Sequence, residues 1–217
     1  MTGVTTGVYA VRQSVVIESV LGGRSRRHFL LGGLAGGAAL AGALAGLGRP
    51  AAAQTPSPEQ DERILTFLLS LEYLGAAFYA QAEARGALGG ELAEFARVVG
   101  EQERRHVERL QQLLGSAAQP EPDLDLEDLT SDPDGFLEAA VVLEDTGVSA
   151  CIGQASNMTV DGVAAVAPLV SVEARHAAWI LAIAGRDPAP AAADPAASVD
   201  GVQNAFERAG LTLPGSG

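Results

Sequence analysis

Two short motifs in this chain have the residue types and spacing to hold a metal ion. Glu103-Arg104-Arg105-His106 and Glu173-Ala174-Arg175-His176 each set a carboxylate and an imidazole three residues apart. On a helix that is about one turn, so an oxygen and a nitrogen stand side by side on one face. Around Glu103 the helical offsets carry Ala96, Val99, Gly100, Val107 and Leu110; around Glu173 they carry Val166, Leu169, Val170, Ala177 and Ile180. Glu72 lies among Leu65, Leu68, Leu69, Gly75, Ala76 and Tyr79, and Glu144 among Leu137, Ala140, Val141, Gly147, Val148 and Cys151. An unpaired carboxylate on the buried stripe of a helix is very costly. Four such glutamates ask for a shared cation, and the two histidines beside them suit iron, manganese or zinc. Glu101 is the contrast, because its face carries Arg97, Arg105 and Glu108 and reads as solvated surface.

Positioning these side chains takes four helices. Ser57-Pro58-Glu59-Gln60 predicts a helix start, with Ser as the cap and Pro in the first position, and the apolar period continues to about Arg85. The short turn over 86–90 implies an antiparallel neighbour from about Glu91 to Leu114, stopped by Gly115. Residues 116–131 are acidic, contain proline and lack a sustained apolar period, so they predict an ordered-to-mobile connection. Sixteen residues span roughly 50 Å when extended, more than the ~35 Å length of a 24-residue helix, so this segment is long enough to return along the bundle. Asp132-Pro133 caps a third helix reaching about Ser156, and a fourth covers about Asp161 to Ala184, where Pro168 predicts a kink or a late start. Residues 187–217 form an Ala/Pro-rich tail with one short helix near Val199–Ala209.

The two helical hairpins read as copies. Leu71-Glu72 with Gly75 matches Leu143-Glu144 with Gly147, and each Glu-x-x-His motif is followed, twelve residues after its Glu, by a glycine, Gly115 or Gly185. With these motifs, residues 58–186 resemble the ferritin-like superfamily, especially exported ferritin-like domain proteins related to desiccation-related proteins. The resemblance implies an all-α fold, a ferritin-like up-down four-helix bundle with one long crossover between helices 2 and 3. It implies two divalent metal ions, iron first and manganese as the alternative, held by Glu72, Glu103, His106, Glu144, Glu173 and His176. Glu103 and Glu173 would bridge the ions, Glu72 and Glu144 would be terminal, and each His would serve one ion. Tyr79 and Cys151, each seven residues beyond a Glu, either support the site from behind the ligands or belong to the core. The implied activity is oxidation of ferrous iron or reduction of oxygen or peroxide; the alternative is a non-enzymatic desiccation or stress protein of the envelope with a structural metal.

The chain has 217 residues, 47% of them apolar, enough for one domain with a core. A single cysteine excludes an internal disulfide. Formal charge is −13, all fourteen basic residues are arginine, and five of them precede residue 54. Such an acidic chain offers no basic patch for nucleic acid and attracts small cations.

Ser25-Arg26-Arg27-His28-Phe29-Leu30-Leu31 opens an Ala/Gly/Leu stretch to about Gly48, followed by Ala51-Ala52-Ala53. A charged start, a weakly apolar stretch and an A-x-A site predict a signal peptide over 1–53, cleaved after Ala53. The paired arginines resemble the twin-arginine type, which makes the twin-arginine export machinery a partner. The destination is then the periplasm, cell envelope or exterior, with no stable membrane span after cleavage; an uncleaved anchor is the alternative. This divides the chain into leader, bundle over 54–186 and tail over 187–217. Replacing Arg26 and Arg27 together by lysine is expected to hold the protein inside the cell with its leader attached, as read by fractionation and immunoblotting. Normal export of that double variant would remove the twin-arginine reading.

Overall fold

The computed structural model describes residues 55–214, so the expected leader and its cleavage point lie outside the described residues. Four long helices carry the fold: α1 (Pro58–Arg85), α2 (Gly90–Leu114), α4 (Pro133–Ala155) and α5 (Val160–Ile183). A single turn, α3 (Glu127–Thr130), sits in the crossover, and α6 (Val199–Arg208) lies near the C-terminus. No strand occurs among the described residues, and the all-α bundle expected from the sequence is the observed one.

The helix ends follow from their caps. Ser57 accepts a hydrogen bond from the Gln60 amide and Pro58 opens α1, while Asp132 accepts from the amides of Asp134 and Gly135 ahead of Pro133. The fourth long helix departs from expectation: α5 starts at Val160, capped by Thr159, and runs through Pro168 with no late start. Pro168 and Ala164 are both exposed. The carbonyl deprived of its helical partner therefore faces water, which removes most of the penalty of an interior proline.

Two sets of ties fix the helix directions. At one end, Asp61 in the first turn of α1 accepts from the Thr159 amide at 2.9 Å and from the Thr159 hydroxyl, joining the starts of α1 and α5. Along α1, the crossover is clamped rather than loose. The Tyr73 hydroxyl donates to the Gln119 carbonyl at 2.8 Å, and Gln81 donates to the Leu124 carbonyl at 2.7 Å while accepting from the Leu126 amide at 3.1 Å. Near its end, Arg85 donates to the Thr130 hydroxyl at 3.0 Å. The crossover thus climbs α1 toward its C-terminal end and delivers α4 there. As a result α1 and α5 run one way and α2 and α4 the other. The connection over 116–131 lies at the ordered end of what the sequence allowed: it carries a 3-10 turn (Gly115–Ala117) and α3, and buried Leu126 and Thr130 bind it to the bundle.

An aromatic layer closes the core on the Arg85 side of the buried glutamates. Phe78 and Phe136 stack at 4.8 Å, Tyr79 meets Phe95 edge-on at 5.8 Å, and Phe95 meets Trp179 at 5.2 Å. By length and composition α1 and α5 could each cross a membrane. Yet α1 carries Glu72, and α5 carries Glu173 and His176, all buried against other helices, the pattern of a bundle core. Asp61→Ala leaves the Thr159 amide and hydroxyl without their partner and is expected to lower the unfolding free energy by about 1–3 kcal/mol, measured by urea denaturation of metal-free protein.

Candidate metal centre

All six candidate ligands lie inside the bundle, none more than 8% exposed. Each long helix contributes: Glu72 from α1, Glu103 and His106 from α2, Glu144 from α4, Glu173 and His176 from α5. Their donor atoms form two groups, Glu72, Glu103, His106 and Glu173 in one, and Glu103, Glu144, Glu173 and His176 in the other, each within 4.8 Å of mutual distance. Glu103 and Glu173 belong to both groups. His106 Nδ1 stands 2.7 Å from Glu173 Oε1, 3.4 Å from Glu72 Oε2 and 4.0 Å from Glu103 Oε2. His176 Nδ1 stands 3.1 Å from Glu103 Oε1, 3.5 Å from Glu144 Oε2 and 3.8 Å from Glu173 Oε2. The two imidazoles lie 6.0 Å apart, 26° from parallel. Glu101, two residues from Glu103, points outward to Arg104 and Arg105, the latter at 2.7 Å.

These atoms fit a metal ion because they converge without satisfying one another. With the imidazoles neutral, Glu103 Oε1, Glu173 Oε1, His106 Nδ1 and His176 Nδ1 are all buried acceptors with no hydrogen-bond partner. Burying a polar atom unpaired is costly, and four of them aimed at shared points is the arrangement of ligands facing a cation. Hard carboxylate oxygens mixed with imidazole nitrogens suit first-row divalent ions. In the metal-free protein, protons balance the charge instead. Burial and the neighbouring Glu173, Glu72 and Glu144 raise the Glu103 carboxyl well above its usual range. Burial disfavours the imidazolium forms, but Glu173 with Glu72, and Glu144 with Glu173, outweigh it, lifting His106 to about 9 and His176 to about 10. Burial also opposes ionisation of Glu173, yet the two histidines flanking it hold it near 2. Near neutral pH both imidazoles are therefore protonated, and an entering cation must displace those protons, so affinity falls as pH is lowered.

Supporting residues orient the ligands. His176 places Nε2 2.8 Å from Gln102 Oε1. An amide oxygen only accepts, so a proton stays on Nε2, and once an entering cation displaces the second proton the Nδ1 lone pair faces the carboxylates. Tyr79 donates its hydroxyl to Glu144 Oε1, which turns Oε2 toward His176; burial first, and Glu144 next, push this phenol well above its usual pKa. Cys151 lines a cavity of about 20 Å³ at the cluster together with Glu72, Glu103 and Glu173, and burial raises its thiol pKa. Gly75 leaves room for a ligand: a Cβ there would lie 3.1 Å from Glu103 Oε2.

A four-helix bundle with a buried carboxylate–imidazole cluster belongs to the class of helical proteins able to hold metal between their helices. Residues 60–186 match the ferritin-like domain, and the chain belongs to that family. No curated protein matches the chain.

Sequence reasoning overlooked Gln102 and the role of Gly75. Gln102 carries no signal of its own, since a glutamine beside a surface glutamate is ordinary. Gly75 had a visible trace, its recurrence at Gly147 in the second hairpin. Gln102→Leu frees the His176 ring and is expected to weaken metal binding by about 10–100-fold, measured by competition with a chelator, while circular dichroism stays that of the wild type.

Proposed function

We propose that the chain is an exported ferritin-like protein that binds two divalent ions, iron first and manganese as the alternative, and oxidises ferrous iron with dioxygen or peroxide. The observation that supports it most is the sharing of Glu103 and Glu173 between two donor groups. Four carboxylates and two neutral imidazoles carry four negative charges, which two divalent ions offset. In this reading Glu72, Glu103, His106, Glu144, Glu173 and His176 would hold the two ions, with Glu103 and Glu173 the residues common to both donor groups. Bound iron would supply the one-electron steps that the side chains cannot.

The residues bind, orient and shield. Gln102 sets the His176 tautomer, and Tyr79 holds a proton at its hydroxyl against Glu144 Oε1. Phe95, Phe136 and Tyr79 pack water out on one side of the cluster. In such a dry setting the charges act on bound species with little screening. The cavity of about 20 Å³ holds about one water-sized molecule. Export in folded form would let the ions be inserted before the protein leaves the cytoplasm.

Glu103→Ala is expected to lose at least one of the two ions and the ferrous oxidation. Glu101→Ala, two residues away on the solvated face, is expected to keep both. The bundle of the first variant should survive, because deleting one buried carboxylate also relieves repulsion among the other three. Elemental analysis after growth with iron or with manganese, and optical assay of ferrous oxidation, decide the matter. Equal metal content in the two variants, or less than one ion in the wild type, would sink the proposal.

A further inference from the structure

The ferritin-like match ends at residue 186, and the segment beyond it docks on the bundle. The Ala197 amide donates to the Ser149 carbonyl at 2.9 Å, and a Cβ on Gly153 would lie 1.8 Å from the Ala197 oxygen. The segment therefore rests directly on the α4 backbone at a glycine. Ser198 then caps α6 by accepting from the Gly201 amide at 3.1 Å. One turn apart on the inner face of α6, Val202 and Phe206 are 0% and 1% exposed. On one flank, Val199 and Gln203 border a groove shared with Leu69 and Tyr73 of α1. On the other, Ala205 and Arg208 border a groove shared with Ala139 and Val142 of α4. Helix α6 thus lies over the seam between α1 and α4. Phe206 reaches through that seam to the cavity at the carboxylate cluster, which it walls with Leu71, Leu143, Gly147 and Cys151.

We propose that Phe206 is the specificity-determining residue of the site: it closes the α1–α4 seam over the glutamates and limits what reaches them to water-sized species. The identity of the reactants rests on the function proposed above; the closure does not. With its ring in place the space at the cluster is about 20 Å³, room for about one water. Without the ring, the apolar wall between the cluster and the surface grooves is lost, and larger molecules gain entry.

Cys151 reports on the gate, being the only cysteine in the chain and a wall of the same cavity. The experiment is alkylation of metal-free, full-length protein by iodoacetamide and by the bulkier dithiobis(nitrobenzoate), followed by mass spectrometry and absorbance. Wild type should react slowly with the first and barely with the second. Phe206→Ala should accelerate the first by at least about tenfold and admit the second. Gly153→Ala provides a second route: alanine is the better helix former, so α4 is not weakened, but its methyl collides with the Ala197 carbonyl and lifts the segment. It should accelerate both reagents as well. Leu110→Ala, which removes a buried core side chain that does not line the cavity, should stay near the wild-type rate. Wild-type rates in both gate variants would overturn the proposal, as would rates that follow the unfolding free energy across all three. Metal content of the same variants separates the two ideas. Accelerated labelling without bound ions would retain the gate and refute the metal reading; unchanged labelling with ions bound would do the reverse.

Discussion

Four carboxylates packed into the centre of one bundle set the terms for everything else in this structure. Glu72, Glu103, Glu144 and Glu173 are each at most 7% exposed, and their oxygens approach one another across the helix interface. Like charges so close and so dry repel strongly, and among the described residues no arginine enters the group to offset them. In the metal-free state the compensation is protonic, through raised pKa values at Glu103, Glu144, His106 and His176. Without those protons, four of the converging atoms, Glu103 Oε1, Glu173 Oε1, His106 Nδ1 and His176 Nδ1, have no hydrogen-bond partner. A cation satisfies both the charge and the orphaned lone pairs at once, which is why the cluster reads as a ligand set rather than as an ion-pair network that stabilises the fold.

A fold that keeps such a cluster together must resist the repulsion at every helix. The Asp61–Thr159 tie joins two of the long helices at one end, and the clamped crossover fastens the chain along α1 toward the other. Between these ties lie the aromatic layer on one side of the cluster and Leu110, Leu114, Val166 and Leu169 among the buried side chains of the remaining core. Rigid elements on every side hold ligand geometry better than loops would. The same rigidity explains why Gly75 matters: where the backbone cannot yield, a missing Cβ makes the space for Glu103.

Much of this was legible because local rules and burial costs leave marks in the chain. Ser57-Pro58 and Asp132-Pro133 announce helix starts, and the observed helices begin at those prolines. A glutamate amid leucines and valines is conspicuous because an unpaired charge there is expensive, and the structure brings all six marked side chains into one cluster. Contacts between residues far apart in sequence leave no such mark. Gln81 holds the crossover across 43 and 45 residues, and Gln102 meets His176 across 74, yet neither glutamine differs in pattern from a solvated one. The late start weighed at Pro168 failed for a related reason: the cost of the proline depends on whether the deprived carbonyl faces water, and exposure is a property of the assembled bundle. Helix α6 was visible as a short helix, but what its apolar face covers was not.

The two hairpins, alike in their motifs, differ in what they supply to the site. Tyr79 and Cys151 occupy equivalent places, seven residues beyond Glu72 and Glu144, and each crosses to serve the other hairpin: Tyr79 binds Glu144, while Cys151 walls the cavity beside Glu72. One half therefore has a hydroxyl donor fixing Glu144, and the other has a thiol whose pKa burial raises. Gln102 orients His176, whereas Val172, its counterpart before Glu173, has no side-chain hydrogen bond to give. The glycines differ too, since a Cβ at Gly147 would sit 3.9 Å from Glu173 Oε2, ordinary contact, against 3.1 Å for Gly75 and Glu103. The small cavity lies against Glu72 and away from Glu144. The two donor groups are thus unequal in their supports and in access. The His176 half is the more tightly held, and the Glu72 half is the one with space for an incoming molecule.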